Sequence, residues 1–455
     1  MPGYSGFVRS LLARAGARIG DRIRIERNDG RSFEGILMPR YAIHERPIIV
    51  IKLDNGYNIG VRVDENTRVE VIKPRETILR EAAAGAPAAI PLLEEEPPPG
   101  PKPRVYILGT GGTIASKVEY ETGAVKPAFS AAEILQAVPE VGFVADIDAG
   151  VLMNTLSENM KPEYWEKIVD AVADKIRKGY DGVIVAHGTD TMAYTGAALA
   201  FALRNLPVPV VLVGAQRSSD RPSSDAAFNL IAATLVAAKS EAAEVLVVMH
   251  GETGDTYALA HRATKVRKMH TSRRDAFQSI NARPVAKIYP FERRIELLQE
   301  PLRRRGSKED LVVENGFERK VALIKYYPGM DSEIIDFLVD RGYRGIVLEG
   351  TGLGHVGEWL VDPIRRGVEL GTYFVMTSQT LFGRVNMNVY TTGRRLLQAG
   401  VIPGGDMLPE TAFVKLSWIL ARTQERSEVI SLLQRNIAGE YTHRITIDLY
   451  PRWPH

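Results

Sequence analysis

The strongest constraint on this chain's fold is a series of apolar runs without polar alternation: Val183-Ile-Val-Ala186, Val210-Val-Leu-Val213, Val245-Leu-Val-Val-Met249, Val321-Ala-Leu-Ile324, Ile346-Val-Leu348 and Tyr373-Phe-Val-Met376. A strand with one wet face alternates apolar and polar residues, so an unbroken apolar run belongs to a strand covered on both faces, as in a parallel sheet. Helical stretches separate most of these runs. Pro162 opens one in which Trp165, Ile168, Val169, Val172 and Ile176 recur at helical spacing up to Gly179, and Asp225 to Ala238 forms another. Right-handed crossovers through such helices give an α/β body of three αβα layers around a parallel sheet. The runs from residue 321 onward predict a second, smaller α/β unit, and Trp165 reads as core.

The first eighty residues follow a different period. Arg22-Ile-Arg-Ile-Glu26 alternates, Asn28-Asp-Gly30 supplies a hairpin turn and Phe33-Glu-Gly-Ile-Leu37 returns. Ile48 to Leu53, the turn Asp54-Asn-Gly56, Tyr57 to Val61 and Arg68 to Ile72 complete about five short strands, enough for a small β-barrel. Residues 81–103, rich in Ala, Glu and Pro, cannot form regular structure and read as a semi-rigid linker. A chain of 455 residues has room for two or three domains. The expected division is a barrel over 1–80, the linker over 81–103, a catalytic domain over 104–300, a connecting segment over 301–320 and the smaller domain over 321–455.

Composition removes several function classes. There is no cysteine, which excludes disulfides, thiolate metal sites and a Cys nucleophile. No apolar run reaches the roughly 18 residues a membrane span needs, and Met1 to Phe7 carry no signal-peptide core, so a cytoplasmic location is expected. A net charge of +3 does not by itself argue for nucleic-acid binding. The basic positions Arg262, Lys265, Arg267, Lys268, Arg273, Arg274 and Arg303 to Arg305 read first as solvated loops and second as phosphate contacts.

Two strand-to-loop units carry hydroxyls. Val105-Tyr-Ile-Leu108 breaks into Gly109, Gly111 and Gly112, with Thr110 and Thr113 in a loop whose backbone can approach a ligand closely. Gly182-Val-Ile-Val-Ala186 leads into His187-Gly-Thr-Asp-Thr191. In open α/β sheets, ligands lodge outside the carboxyl ends of strands, so the two loops can face one pocket. A bland reading stands beside this one: Asp190 or Thr191 would then only cap the helix that begins at Met192. His187 and His250 each end an apolar strand, but no metal-ligand spacing links them, and loop histidines with satisfied rings are the expectation.

Thr110-Gly-Gly-Thr-Ile114 and His187-Gly-Thr-Asp-Thr191 resemble the two signatures of the L-asparaginase family. Leu156-Ser-Glu-Asn-Met160 is similar to that family's substrate-holding serine segment, and Lys268, nine residues ahead of Phe277, matches its catalytic lysine. The likeness covers about residues 104 to 440, including Gly393 to Asp406, which resembles the family's smaller C-terminal domain. Gly35-Ile-Leu-Met-Pro-Arg40 and Leu53 to Gly60 resemble the N-terminal module of the GatD family, the glutaminase-type subunits of archaeal glutamyl-tRNA(Gln) amidotransferases.

The resemblance implies a catalytic set of Thr113, Thr189, Asp190 and Lys268, substrate contacts at Gly112, Ser157 and Glu158, and no metal. Thr113 would attack the side-chain amide of glutamine, with backbone N–H groups around Gly111 to Thr113 receiving the oxyanion. Thr189, Asp190 and Lys268 would form the proton path; because an ordinary lysine is charged at neutral pH, Lys268 is expected to position charge rather than rest as a base. Tyr120 is a candidate flap tyrosine. The chain has no Gly-x-x-x-x-Gly-Lys-Ser/Thr segment, so ATP and Mg²⁺ are expected at a kinase/transferase partner, the amidotransferase's E subunit, which acts on Glu-tRNA(Gln). A homodimer core is also implied. The alternative reading is a free-standing L-asparaginase with an appended barrel.

Overall fold

The computed structural model describes residues 4, 6–38, 47–53, 58–74, 77, 101–111, 116–119, 124–127, 134–135, 138–217 and 224–451. They fall into two compact units, the first comprising residues 1–100, 115–128 and 217–224 and the second the remainder. The turn at Asp54 to Gly56 and the expected linker up to residue 100 lie outside the described residues.

In the first unit, five antiparallel strands, Arg22–Glu26, Ser32–Leu37, Ile48–Lys52, Asn58–Arg62 and Arg68–Lys73, lie in spatial order 4-3-2-1-5. Arg22 pairs with Ile36 and Glu26 with Ser32, a register fixed by the turn in which Gly30 takes φ +77. Alternation turns Ile23, Ile25, Leu37, Ile49, Ile51 and Val61 inward. The helix Gly6–Arg14, which the sequence pattern does not announce, adds Val8, Leu11 and Leu12 to this core. Buried Tyr4 receives the Val50 N–H at 3.0 Å and donates to the Met38 carbonyl at 2.8 Å.

The second unit is built on an eight-stranded sheet. Its spatial order is Arg294–Leu297, Ala286–Tyr289, Ala258–Arg262, Val245–His250, Val210–Val213, Gly182–Ala186, Arg104–Gly109 and Asp146–Val151. The expected parallel sheet runs from Val245–His250 through Asp146–Val151, and the three strands beyond His250 extend it in antiparallel sense. The helices Pro162–Arg177, Met192–Ala202 and Ala226–Lys239 cover the sheet; Trp165, Ile168, Val169, Val172 and Ile176 are buried as the helical period predicts.

A second sheet is parallel throughout, in order Val321–Lys325, Gly345–Gly350, Tyr373–Ser378 and Ile402–Pro403. The helix Pro409–Leu420 packs against both Met192–Ala202 and the strand Gly345–Gly350, and its Trp418 stacks on Phe201 with ring centroids 5.9 Å apart. One apolar core therefore runs from Val185 and Leu212 to Val347 and Val375. No helix among the described residues is long and apolar enough to cross a membrane.

The basic positions divide: Arg273 and Arg304 are exposed as expected, but Arg262, Lys265 and Arg305 differ from the solvated loops expected of them. Arg262 is buried and bonds Glu244 through Nε and Nη2 at 2.7 and 3.2 Å, while Lys265 is 1% exposed and pairs with Asp406. Arg305 spends its guanidinium on the carbonyls of Ser240, Asp181 and Ala237. These are structural cations rather than solvated loop charges; local sequence reads them as surface because their partners lie far along the chain.

Candidate active site

Register brings the candidate loops together. Ala186 pairs with Gly109, Val213 with Ala186 and Val151 with Gly109, so four neighbouring parallel strands end level and release their loops side by side. Thr110 ties two of these ends: its N–H and its Oγ1 both donate to the Ala186 carbonyl, at 3.0 and 2.9 Å. Its hydroxyl is thereby used structurally. Gly111 follows at φ +119, where an added Cβ would stand 2.1 Å from the Thr155 carbonyl oxygen. Gly112, Thr113 and Tyr120 lie outside the described residues.

Ser157 opens a short 3₁₀ turn and is buried, while Glu158 beside it is exposed. The Thr191 hydroxyl donates to the Ser157 carbonyl at 2.7 Å, and Gly188 leaves room for the Ser157 side chain, whose Cβ would be 2.7 Å from a Cβ at Gly188. Thr191 does hold the helix N-cap position, yet neither it nor Asp190 makes a side-chain capping bond there. Both side chains are committed elsewhere: Thr191 to Ser157, Asp190 to Lys268.

Lys268 Nζ lies 2.9 Å from Thr189 Oγ1 and 2.7 Å from Asp190 Oδ1. The nine-residue spacing to Phe277 has a structural basis, because Lys268 and Phe277 are cross-strand partners in a two-stranded ribbon and Phe277 is fully buried. Phe277 anchors the ribbon and Lys268 reaches across to the Thr189 loop. Since Nζ can only donate, Thr189 Oγ1 accepts from it and keeps its own hydrogen for another acceptor. Asp190 is 64% exposed in its side chain, so the pair contributes only about 0–1 kcal/mol to stability and its consequence is geometric. Gly214, which carries no signal in the sequence, closes the floor: a Cβ there would meet Thr189 Cγ2 at 2.9 Å and the His187 carbonyl at 2.6 Å.

His187 is buried beneath this loop. A carbonyl accepts only, so Nδ1 carries the hydrogen toward the Gly188 oxygen at 2.7 Å and Nε2 accepts from the Thr195 hydroxyl at 2.9 Å. Burial pushes its pKa down to about 4 and that of buried His261 down to about 3. An imidazole with a lowered folded pKa takes up its proton more readily when unfolded. Its stability contribution is complete above the ordinary value of 6.5 and drains as pH falls toward 4, by on the order of 3 kcal/mol for His187. Urea midpoints between pH 7 and pH 4 should therefore fall less steeply in His187→Asn than in the parent; equal slopes would sink this assignment. His250 is likewise satisfied, between Asn229 Oδ1 at 2.6 Å and Asp255 Oδ1 at 2.8 Å.

The comparisons with known proteins agree with this architecture. Residues 104–303 match the asparaginase N-terminal family, residues 320–433 the glutaminase/asparaginase C-terminal domain and residues 17–72 the GatD N-terminal domain. A glutamyl-tRNA(Gln) amidotransferase D subunit from Aeropyrum pernix is 56% identical over 94% of this chain and 99% of its own length. The chain belongs to the GatD family of glutamyl-tRNA(Gln) amidotransferase subunits. Another member, from Thermococcus kodakarensis, is 54% identical over 98% of this chain and 99% of its own. Family membership makes the chain part of an enzyme, with an asparaginase-like α/β body. Among solved structures, a thermostable L-asparaginase from Thermococcus kodakarensis superposes with TM-score 0.67 at 35% identity, covering 75% of this chain and all of that one. L-asparaginase I from Vibrio cholerae gives 0.64 at 30% identity, with the same coverages.

Proposed function

We propose that this chain is the glutamine-hydrolysing component of a glutamyl-tRNA(Gln) amidotransferase. The observation that carries the reading is the Lys268–Thr189–Asp190 cluster beside the Thr110–Gly111 loop, in a chain that aligns along nearly its whole length with GatD relatives. Thr113 Oγ forms a bond to the side-chain carbonyl carbon of glutamine as its hydroxyl proton passes, by way of the Thr189 hydroxyl, toward the leaving nitrogen; the carbonyl π pair moves onto oxygen, and backbone N–H groups around Gly111 to Thr113 receive the oxyanion. The C–N bond then breaks, the nitrogen gains a proton and leaves as ammonia, and water cleaves the acyl ester to glutamate and a free Thr113 hydroxyl. The charged Lys268 orients Thr189 for proton transfer and Asp190 fixes Lys268. Gly112, Ser157 and Glu158 hold the substrate.

The ammonia passes to a partner, the amidotransferase's E subunit, which uses ATP and Mg²⁺ to activate Glu-tRNA(Gln) and release Gln-tRNA(Gln). The working assembly is cytoplasmic, with a homodimer of this chain at its core. Thr113→Ala in the complex should abolish amidation driven by glutamine while amidation driven by added ammonium stays within about twofold of the parent. Retained glutamine-driven amidation would remove Thr113 from its role. Rapid asparagine hydrolysis by the isolated chain, indifferent to partner and tRNA, would instead establish the free-standing asparaginase that the solved neighbours suggest.

A further inference from the structure

The short strand that ends in Lys268 is tied along its approach to one region of the chain more than 130 residues away. The Thr264 hydroxyl donates to the Ala438 carbonyl, and the Thr411 hydroxyl donates to the Thr264 carbonyl, each at 2.9 Å. Lys265 Nζ lies 2.5 Å from Asp406 Oδ2, and both side chains are almost wholly buried. Arg267 Nη1 lies 3.3 Å from Glu410 Oε1. Asp406 and Glu410 flank the start of the helix Pro409–Leu420, which packs against the second sheet.

The anchor is itself fixed. Asp406 receives the Thr442 N–H at 3.1 Å, and Glu440 accepts the N–H groups of Ile437 and Ala438 while pairing with fully buried Lys415 at 2.6 Å. Val266, between the two tied cations, is buried as apolar core.

An ion pair buried as deeply as Lys265–Asp406 stabilises a fold no better than well-packed apolar residues of the same volume, because desolvation offsets its attraction; the Arg267–Glu410 contact is less buried, with the Arg267 side chain 31% exposed. What such a pair supplies that Met or Leu would not is a single allowed geometry. From this we infer that Lys265–Asp406 and Arg267–Glu410 are positioning pairs, which set the height of Lys268 against Thr189 and make the second α/β layer a determinant of turnover. The inference rests on the proposed role of Lys268. A displacement near 1 Å at a reacting group costs about 10²-fold in rate, and the Lys268–Thr189 contact has no slack of that size.

The test uses the full chain in its complex, reading ammonia release from glutamine alongside thermal unfolding. Lys265→Met/Asp406→Leu replaces the pair with apolar residues. We expect a melting temperature within a few degrees of the parent, kcat lower by about 10²-fold and KM for glutamine within about threefold. A folded double variant with parental kcat would overturn the proposal. Should that variant not fold, Glu410→Gln decides: reduced kcat at unchanged KM supports the positioning role, and parental kinetics overturns it. Lys268→Met separates the two levels, since parental activity in that variant removes the catalytic reading itself, whereas an inactive Lys268→Met beside parental pair variants removes only the positioning role.

Discussion

Replacing Lys268 with methionine should lower kcat for ammonia release by about three orders of magnitude while KM for glutamine moves less than about threefold. Methionine keeps much of the length of the lysine stem and removes only the ammonium that bonds Thr189 Oγ1 and Asp190 Oδ1. Without it the Thr189 hydroxyl is free to rotate and Asp190 has lost its cation, so proton transfer fails although the pocket wall persists. Stability provides the control. The pair is solvent-exposed on the Asp190 side, and its loss should cost no more than about 1 kcal/mol. A variant that melts like the parent and turns over at the parental rate would eliminate Lys268 from the mechanism; one that melts like the parent but barely turns over separates catalysis from folding cleanly.

Much of the architecture is legible in local pattern. All five strands of the N-terminal antiparallel sheet fall where alternation, turn residues and β-favouring runs place them, and the unbroken apolar runs are parallel-paired strands of the two α/β sheets, Val321–Lys325 lying at the edge of the second. The lysine-to-phenylalanine spacing, a bare likeness in sequence, becomes a cross-strand pair in a ribbon. What local pattern misses has a common cause. The Lys265–Asp406 and Arg262–Glu244 contacts join residues distant in sequence, and nothing near Lys265 marks it as buried. The strands Ala286–Tyr289 and Arg294–Leu297 are four residues each, too short for periodicity to identify, yet they extend the main sheet. The helix Gly6–Arg14 has no acidic residue in its first turn and is only nine residues long, so it is held by Leu11 and Leu12 reaching the core of the N-terminal sheet. Thr191 carries the sequence signature of a cap and uses its hydroxyl on Ser157 instead.

Gly111→Ala should be the most damaging single-methyl change near the site. The new Cβ would stand 2.1 Å from the Thr155 carbonyl oxygen and 2.8 Å from its nitrogen, both backbone atoms that cannot rotate aside, at a φ of +119 that side chains rarely adopt. Thr155 N–H is meanwhile bonded to the Thr110 carbonyl at 3.1 Å, so relief requires the two loops to part. One carries the approach to Thr113 and the other leads into Ser157. Overpacking and backbone strain together should cost about 2–4 kcal/mol, and activity should fall by more than about 10²-fold because both loops shift at once. Gly30→Ala in the N-terminal sheet is the matched comparison: its φ of +77 is also strained, but nothing lies within 4 Å of the added Cβ. It should cost only the conformational penalty of about 1 kcal/mol and leave kcat untouched. Parental kcat/KM in Gly111→Ala would mean that the Thr110–Gly111 and Thr155–Ser157 segments move independently of the chemistry, and the level strand ends would then be architecture without catalytic consequence.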